Sequence, residues 1–495
     1  MLKDNKILVG KNKDLEEAFI LPNMACRHGL ITGASGSGKT ISLKVLAESF
    51  SNLQVPVFLA DVKGDLAGMC KEGITGEKIE ERLKNIGIEN FNFRSFPTVF
   101  WDVYKEKGIP VRARIEDIGY MITSRMLGLN EVQEGVLNIV FKVAHDKGLK
   151  LVDLKDLKAA LQYVGENKDS FKFDYGNISP QSIGSIQRSL LVLEEQAGSD
   201  FFGEPSLSIN DFMKFDVNTG SGLINVLDAT KLFQKPTLYS SFLLWLLNEL
   251  NTKLPEVGDI EKPKLAFFFD EAHLLFSDMP QYMIKYVSQI VKLIRSKGVS
   301  LFFISQSPRD IPDDILSQLS NKIQHSLRAY TPSEQKNIKA IADSYRSNPN
   351  FDTAETILSL ATGEAIVSFL NEKGEPTIAQ RVTILPPQSL MGTIDDITRD
   401  NVIKNNELYL KYKDGIDDNS AFEQIKEVKE KEEQEKQMAM VEKEKIELQK
   451  KMEKEKEKKT SSTRKTKSTA EKAIDRMVTT GVGTITRKLI NKILK

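Results

Sequence analysis

The feature that most constrains this chain is a run of eight residues. Gly33-Ala34-Ser35-Gly36-Ser37-Gly38-Lys39-Thr40 fits the pattern GxxxxGK[ST]. An apolar run over 29–32 leads into it. A helical pattern follows, with Ile41, Leu43, Val45, Leu46 and Phe50 as its apolar residues. Glycines at these positions let consecutive backbone N–H groups turn inward at the positive end of the next helix, which makes a cradle for phosphate oxygens. Lys39 adds a point charge for the outer phosphates, and Thr40 offers a hydroxyl to Mg²⁺. All eight residues, 33–40, are therefore expected to bind the phosphates of a nucleotide such as ATP.

A site of this kind needs a second apolar strand that ends in a carboxylate. Residues 265–270 read LAFFFD, so Asp270 emerges at the edge of the sheet as a Mg²⁺ ligand. Glu271 follows at once and is expected to polarise the attacking water. The text of 270–273, DEAH, is a label of one helicase group, but the companion motifs of that group are absent and His273 is read as a local structural residue. A third buried strand over 300–305 ends at Gln306, whose amide is expected near the outer phosphate or the water. Asp61 and Lys63 close the strand over 55–60 and border the same edge, with supporting contacts or helix capping as alternative roles. Arg295 stands at the start of the strand that ends near Gln306, so it faces the opposite edge. It is expected either in a surface ion pair or as an arginine supplied to a neighbouring subunit.

The order strand, loop, helix, strand predicts an α/β fold with a mainly parallel sheet. Strand patterns return at 222–227, 265–270, 300–305 and 322–327, and residues 365–370 and 377–384 flank a polar turn as a closing hairpin. Between the early and late strands, 75–220 is expected as a mostly helical insertion. The core is then 1–74 together with 221–395. Residues 396–469 read as a charged helical spacer followed by a basic linker, with Glu-to-Lys pairs at 427/431, 432/436 and 447/451. Residues 470–495 read as a basic amphipathic helix, with Ile474, Val478, Val482, Ile485, Leu489 and Ile493 on one face.

Two cysteines and four scattered histidines argue against a disulfide framework and against a zinc site. No run of apolar residues is long enough to span a membrane, and the first residues lack a signal-peptide core. A cytoplasmic protein is expected. The net charge is zero, but the excess of basic residues lies in the tail and is balanced by an acidic excess in the rest.

The succession GASGSGKT, DVKGD, FFFDEAH, IRSKGV and ISQSP resembles the HerA/FtsK superfamily of DNA-translocating ATPases, and 1–395 is similar to its bacterial HerA-like helicase group. The resemblance implies a RecA-like P-loop NTPase core, ATP and Mg²⁺ as cofactors, and homo-hexameric rings that act on DNA. It implies Lys39 and Thr40 at ATP-Mg²⁺, Asp270 and Glu271 as the paired carboxylates, Gln306 as sensor and Arg295 as the residue acting in trans. Archaeal members carry a β-barrel before the phosphate loop, and 32 residues precede Gly33 here, so the nuclease docking that goes with the barrel is not carried over. Two readings of other classes stand beside the DNA motor. One is an ATPase on a membrane surface or protein partner, reached through the C-terminal helix. The other is a nucleotide-dependent scaffold with little turnover, against which Glu271 argues.

Overall fold

The structure is a computed structural model and describes residues 1–197, 201–416 and 420–459. It divides into two units, 1–422 and 423–495.

The first unit is built on one sheet of thirteen strands. In chain order these are β1 (Leu2–Lys3), β2 (Lys6–Lys11), β3 (Glu17–Ile20), β4 (Gly29–Thr32), β5 (Val57–Asp61), β6 (Thr98–Asp102) and β7 (Ile109–Pro110). Then come β8 (Ile224–Asp228), β9 (Leu265–Phe269), β10 (Val299–Ser305), β11 (Asn321–Gln324), β12 (Glu364–Ser368) and β13 (Gln380–Ile384). From β11 through β4, β10, β9, β5, β8 and β6 to β7 every pairing is parallel. At the other side β12, β13, β2 and β1 add antiparallel strands, and β3 pairs with β2.

Every residue of β4, β5, β6, β8, β9 and β10 is buried, which is what a parallel sheet covered on both faces requires. Phenylalanines stack across neighbouring strands: Phe268 on Phe302 at 5.0 Å between centroids, Phe269 on Phe303 at 4.9 Å, and Phe58 on Phe267 at 4.5 Å. Such cross-strand pairs fix the register as well as filling the core. The helix Pro236–Lys253 is buried nearly all round, so its sequence shows no clear polar face.

The segment 75–220 contains several helices, among them Ile115–Met126, Glu131–Asp146, Leu154–Glu166 and Pro180–Ala197. Asn130 and Asp153 cap two of them by accepting the N–H of Gln133 and of Lys155 and Asp156. The same segment also contributes β6 and β7 to the sheet, where the sequence reading had no strand. The hairpin expected near 365–384 is β12 paired with β13.

The compact unit continues past residue 395. Helices Asp396–Lys404 and Glu407–Tyr412 lie on it, and Tyr412 is fully buried with its ring 5.5 Å from Trp101. The Arg112 guanidinium donates to the Tyr412 carbonyl at 2.6 Å. The described residues of the second unit, 423–459, all belong to the charged helix Ala421–Lys459, and most of their described side chains are exposed. The linker over 460–469 and the amphipathic helix over 470–495 lie outside the described residues. Among the described residues no helix is long and apolar enough to cross a membrane.

Candidate active site

Strand register brings the sequence motifs to one edge. Thr32 pairs with Ser305 and Phe269 pairs with Phe303, so the glycine loop, Gln306 and the pair Asp270 and Glu271 all follow the C-terminal ends of adjacent parallel strands. That edge is where ligands of open α/β sheets bind.

The loop over 33–40 opens the helix Lys39–Asn52. Gly33 has φ of +154°, and a Cβ there would meet Cβ of His325 at 2.5 Å and Oγ of Ser37 at 2.7 Å, so only glycine fits. Above Gly36 there is open space. Lys39 Nζ donates to the carbonyls of Gly33 at 2.6 Å and Ala34 at 3.1 Å, which holds its charge inside the loop. Burial lowers the Lys39 ammonium from its ordinary range, and the charge of Glu271 works against that fall. Ser37 Oγ is buried without a hydrogen-bond partner. Thr40 is half-buried at the first turn of the helix, and Ser35 is exposed.

Asp270 closes β9. Its Oδ1 accepts the N–H of Glu271 at 2.9 Å, and its carbonyl accepts the hydroxyl of Tyr239 at 2.9 Å. Its surroundings desolvate it, Glu271 adds a second negative charge, and together they push it up to about 7. Glu271 is buried and has φ of +47°, a left-handed conformation that a non-glycine residue adopts only when its neighbours hold it there. Its Oε1 lies 3.9 Å from Lys63 Nζ and its Oε2 lies 3.4 Å from His273 Nδ1. His273 therefore faces the Glu271 carboxylate.

Gln306 is exposed directly after β10. Asp61 is buried and its carboxylate is taken up by its own turn, accepting the N–H groups of Lys63, Gly64 and Leu66. Burial, with Asp65 nearby, pushes Asp61 up to about 6. Asp102 and Asp228, register partners at the ends of β6 and β8, serve their own turns in the same way. Arg295 lies at the opposite edge, where its Nη2 donates to Oδ1 of Asp259 at 3.0 Å. The structure thus gathers the loop, Asp270, Glu271, Gln306, Asp61 and Lys63, and keeps Arg295 apart from them.

Three residues beside the loop carry no sequence signal. Thr32 Oγ1 donates to Gln324 Oε1 at 2.7 Å. His325 follows β11 and is fully buried under the loop. Its Nδ1 meets the Glu364 carbonyl at 2.9 Å and its Nε2 meets Ser42 Oγ at 2.8 Å. A carbonyl only accepts, so Nδ1 carries the proton and Nε2 accepts from the Ser42 hydroxyl. Burial lowers this imidazole to about 4, so it stays neutral.

The cradle, the lysine and the paired carboxylates fit a nucleoside triphosphate with Mg²⁺, which takes one or two protein oxygens and completes its shell with phosphates and water. Thr40 and Asp270 would supply those oxygens.

The chain is 25% identical over 362 residues to the DNA double-strand break repair helicase HerA of Saccharolobus solfataricus, a match covering 73% of this chain and 64% of that protein. It is 34% identical over 363 residues to a probable helicase of Methanocaldococcus jannaschii, covering 72% of this chain and 62% of the relative. The chain thus spans less than two thirds of the length of these relatives. Among solved structures, the bacterial conjugative coupling protein TrwB in its unbound monoclinic form superposes with a TM-score of 0.53 at 13% identity, over 80% of this chain and 92% of that one. That likeness bears out the α/β fold with its mostly parallel, RecA-like sheet. The Helicase HerA-like C-terminal model matches residues 6–495, so the chain belongs to the HerA-like helicase family.

Proposed function

We propose that this protein is an ATP-hydrolysing motor of the HerA/FtsK type that works on DNA as a homo-hexamer. The observation that carries the reading is the meeting of Lys39, Asp270 and Glu271 at neighbouring strand ends, set by the Phe269–Phe303 and Ser305–Thr32 register. The name of the Saccharolobus relative supports DNA as the substrate, and both names support the work of a helicase.

In this reading the loop N–H groups and Lys39 bind and orient the triphosphate. Mg²⁺, when bound, neutralises charge on the outer phosphates. Thr40 and Asp270 would hold that cation. Glu271 accepts a proton from the attacking water, and its burial keeps bulk water from competing for the carboxylate. Gln306 senses the outer phosphate from the tip of β10. Lys63 and Asp61 support the edge, the former by its charge near Glu271 and the latter by shaping the turn that presents Lys63. Arg295, at the far edge, acts on the site of a neighbouring subunit.

The test is ATP hydrolysis by the full chain with double-stranded, single-stranded and forked DNA over a salt series. A DNA motor that grips phosphates is stimulated, and the stimulation fades steeply as salt rises. Hydrolysis indifferent to every nucleic acid would redirect the proposal to a protein or membrane substrate.

A further inference from the structure

Arg82 belongs to the helix Glu77–Asn85, outside every motif named above. Its Nη2 donates to the Thr362 carbonyl at 3.0 Å. The end of its guanidinium lies against Gly363, where any Cβ would overlap it, and Gly363 has φ of +83°. Gly363 in turn donates its N–H to the Ser37 carbonyl at 3.0 Å, and a Cβ on Gly38 would sit 3.3 Å from it. One residue separates this arginine from the phosphate loop.

The direction of a bound nucleotide determines what Arg82 meets. Its outermost phosphate must point toward Asp270 and Glu271, which lie beyond β10 on one side of β4. The nucleoside then leaves the loop on the other side, toward β11. His325 follows β11, and Gly363 precedes β12, the next strand out. Arg82 closes that same corner.

We propose that Arg82, with the turn 361–363, forms the wall on which the planar base of the nucleotide packs. The proposal rests on the ATPase reading of the site. A guanidinium is planar, weakly hydrated and stacks on aromatic faces, and this one is half-buried and pinned by the Thr362 carbonyl. The nearby Glu364 is engaged elsewhere: its Oε2 accepts from Arg381 at 2.7 Å and from the Ala361 N–H at 2.8 Å. Neither of these hydrogen bonds is to Arg82, although the Glu364 charge acts on its guanidinium against the effect of burial. Stacking reads no base edge, so adenine and guanine are held alike.

The experiment measures binding of ATP, GTP and inorganic tripolyphosphate, each with Mg²⁺, to the full chain by calorimetry. Arg82→Ala is expected to weaken ATP and GTP about five- to tenfold and to leave tripolyphosphate unchanged. Arg82→Lys keeps the charge but not the plane and recovers little of the loss. Arg82→Gln keeps a donor for the Thr362 carbonyl. If the arginine only braced the turn, this variant would bind ATP like the wild type, and that result would overturn the proposal. Equal weakening of tripolyphosphate, or unchanged ATP binding in Arg82→Ala, would overturn it as well. A wild-type chain that binds neither ATP nor tripolyphosphate would remove the ATPase reading itself, and this inference with it.

Discussion

Nδ1 of His273 lies 3.4 Å from Oε2 of Glu271, both atoms are buried, and neither makes a hydrogen bond to another described residue. A buried acceptor without a donor costs about 1–3 kcal/mol. The left-handed backbone of Glu271 adds about 1–2 kcal/mol more. Cost concentrated in one side chain at the end of a phosphate-loop sheet fits the proposal that Glu271 is held for chemistry rather than for stability.

The Glu271→Gln variant tests this. It keeps the size and leaves the loop intact, so ATP binding should persist within a factor of about two to three. Turnover should fall about 10²- to 10⁴-fold, the usual contribution of a positioned base. Binding and single-turnover hydrolysis measured side by side check both halves, and unchanged turnover would remove the assignment.

The buried His325 makes stability depend on pH. Its folded value, about 4, lies below the ordinary 6.5, so the unfolded chain binds the extra proton between these values. Stability from the neutral imidazole is fully present above pH 6.5 and is lost as pH falls toward 4. The shift corresponds to about 3 kcal/mol at most. His325→Asn should therefore melt well below the wild type at pH 7.5, and the gap should close as pH approaches 4.5. Asp270 and Asp61, raised by burial, act in the opposite sense in both proteins and cancel in the difference. A gap independent of pH would mean that His325 is not held neutral.

Tyr412 tests where the first unit ends. Its ring is buried against Trp101, and its hydroxyl donates to Asp211 and accepts the Ser208 N–H. Tyr412→Ala should cost about 3–5 kcal/mol, as for other large buried aromatics, and lower the melting temperature of the compact unit. A change no larger than that of a surface substitution would make the segment 396–412 an appendage.

What the sequence made legible, and what it hid, divides along chain distance. The glycine loop, Asp270 and Glu271 announce themselves because each works through the backbone of its own few residues, and that chemistry leaves a local pattern. Arg82, His325 and Tyr239 lie beside that loop and Asp270 through contacts with residues far away in the chain, and no spacing encodes such contacts. Strand β6 had a signal, the apolar and β-branched run of 98–101, yet it was absorbed into a stretch otherwise rich in helical periodicity. Tyr412 was hidden for another reason. Its two short helices begin at Asp395 and Asn406, which cap them, and their polar surroundings resemble the charged helix that follows. Contacts with residues far away in the chain, the Trp101 ring, Arg112, Asp211 and Ser208, make that segment part of the core.

Arg295 supplies the last prediction. Its partner Asp259 is almost fully exposed, and an ion pair of that kind contributes little. Arg295→Ala should therefore leave the melting temperature nearly unchanged. It stands at the edge opposite its own phosphate loop, so loss of activity in the variant would have to arise at a neighbour's site. Lys39→Ala disables the subunit's own site but leaves its Arg295 in place. Each variant alone should be inactive, whereas mixed assemblies should regain part of the activity wherever an intact loop meets an intact arginine. Hydrolysis measured across a mixing series should peak at intermediate ratios. A flat baseline at every ratio would show that Arg295 does not act across subunits and would leave it as the surface partner of Asp259.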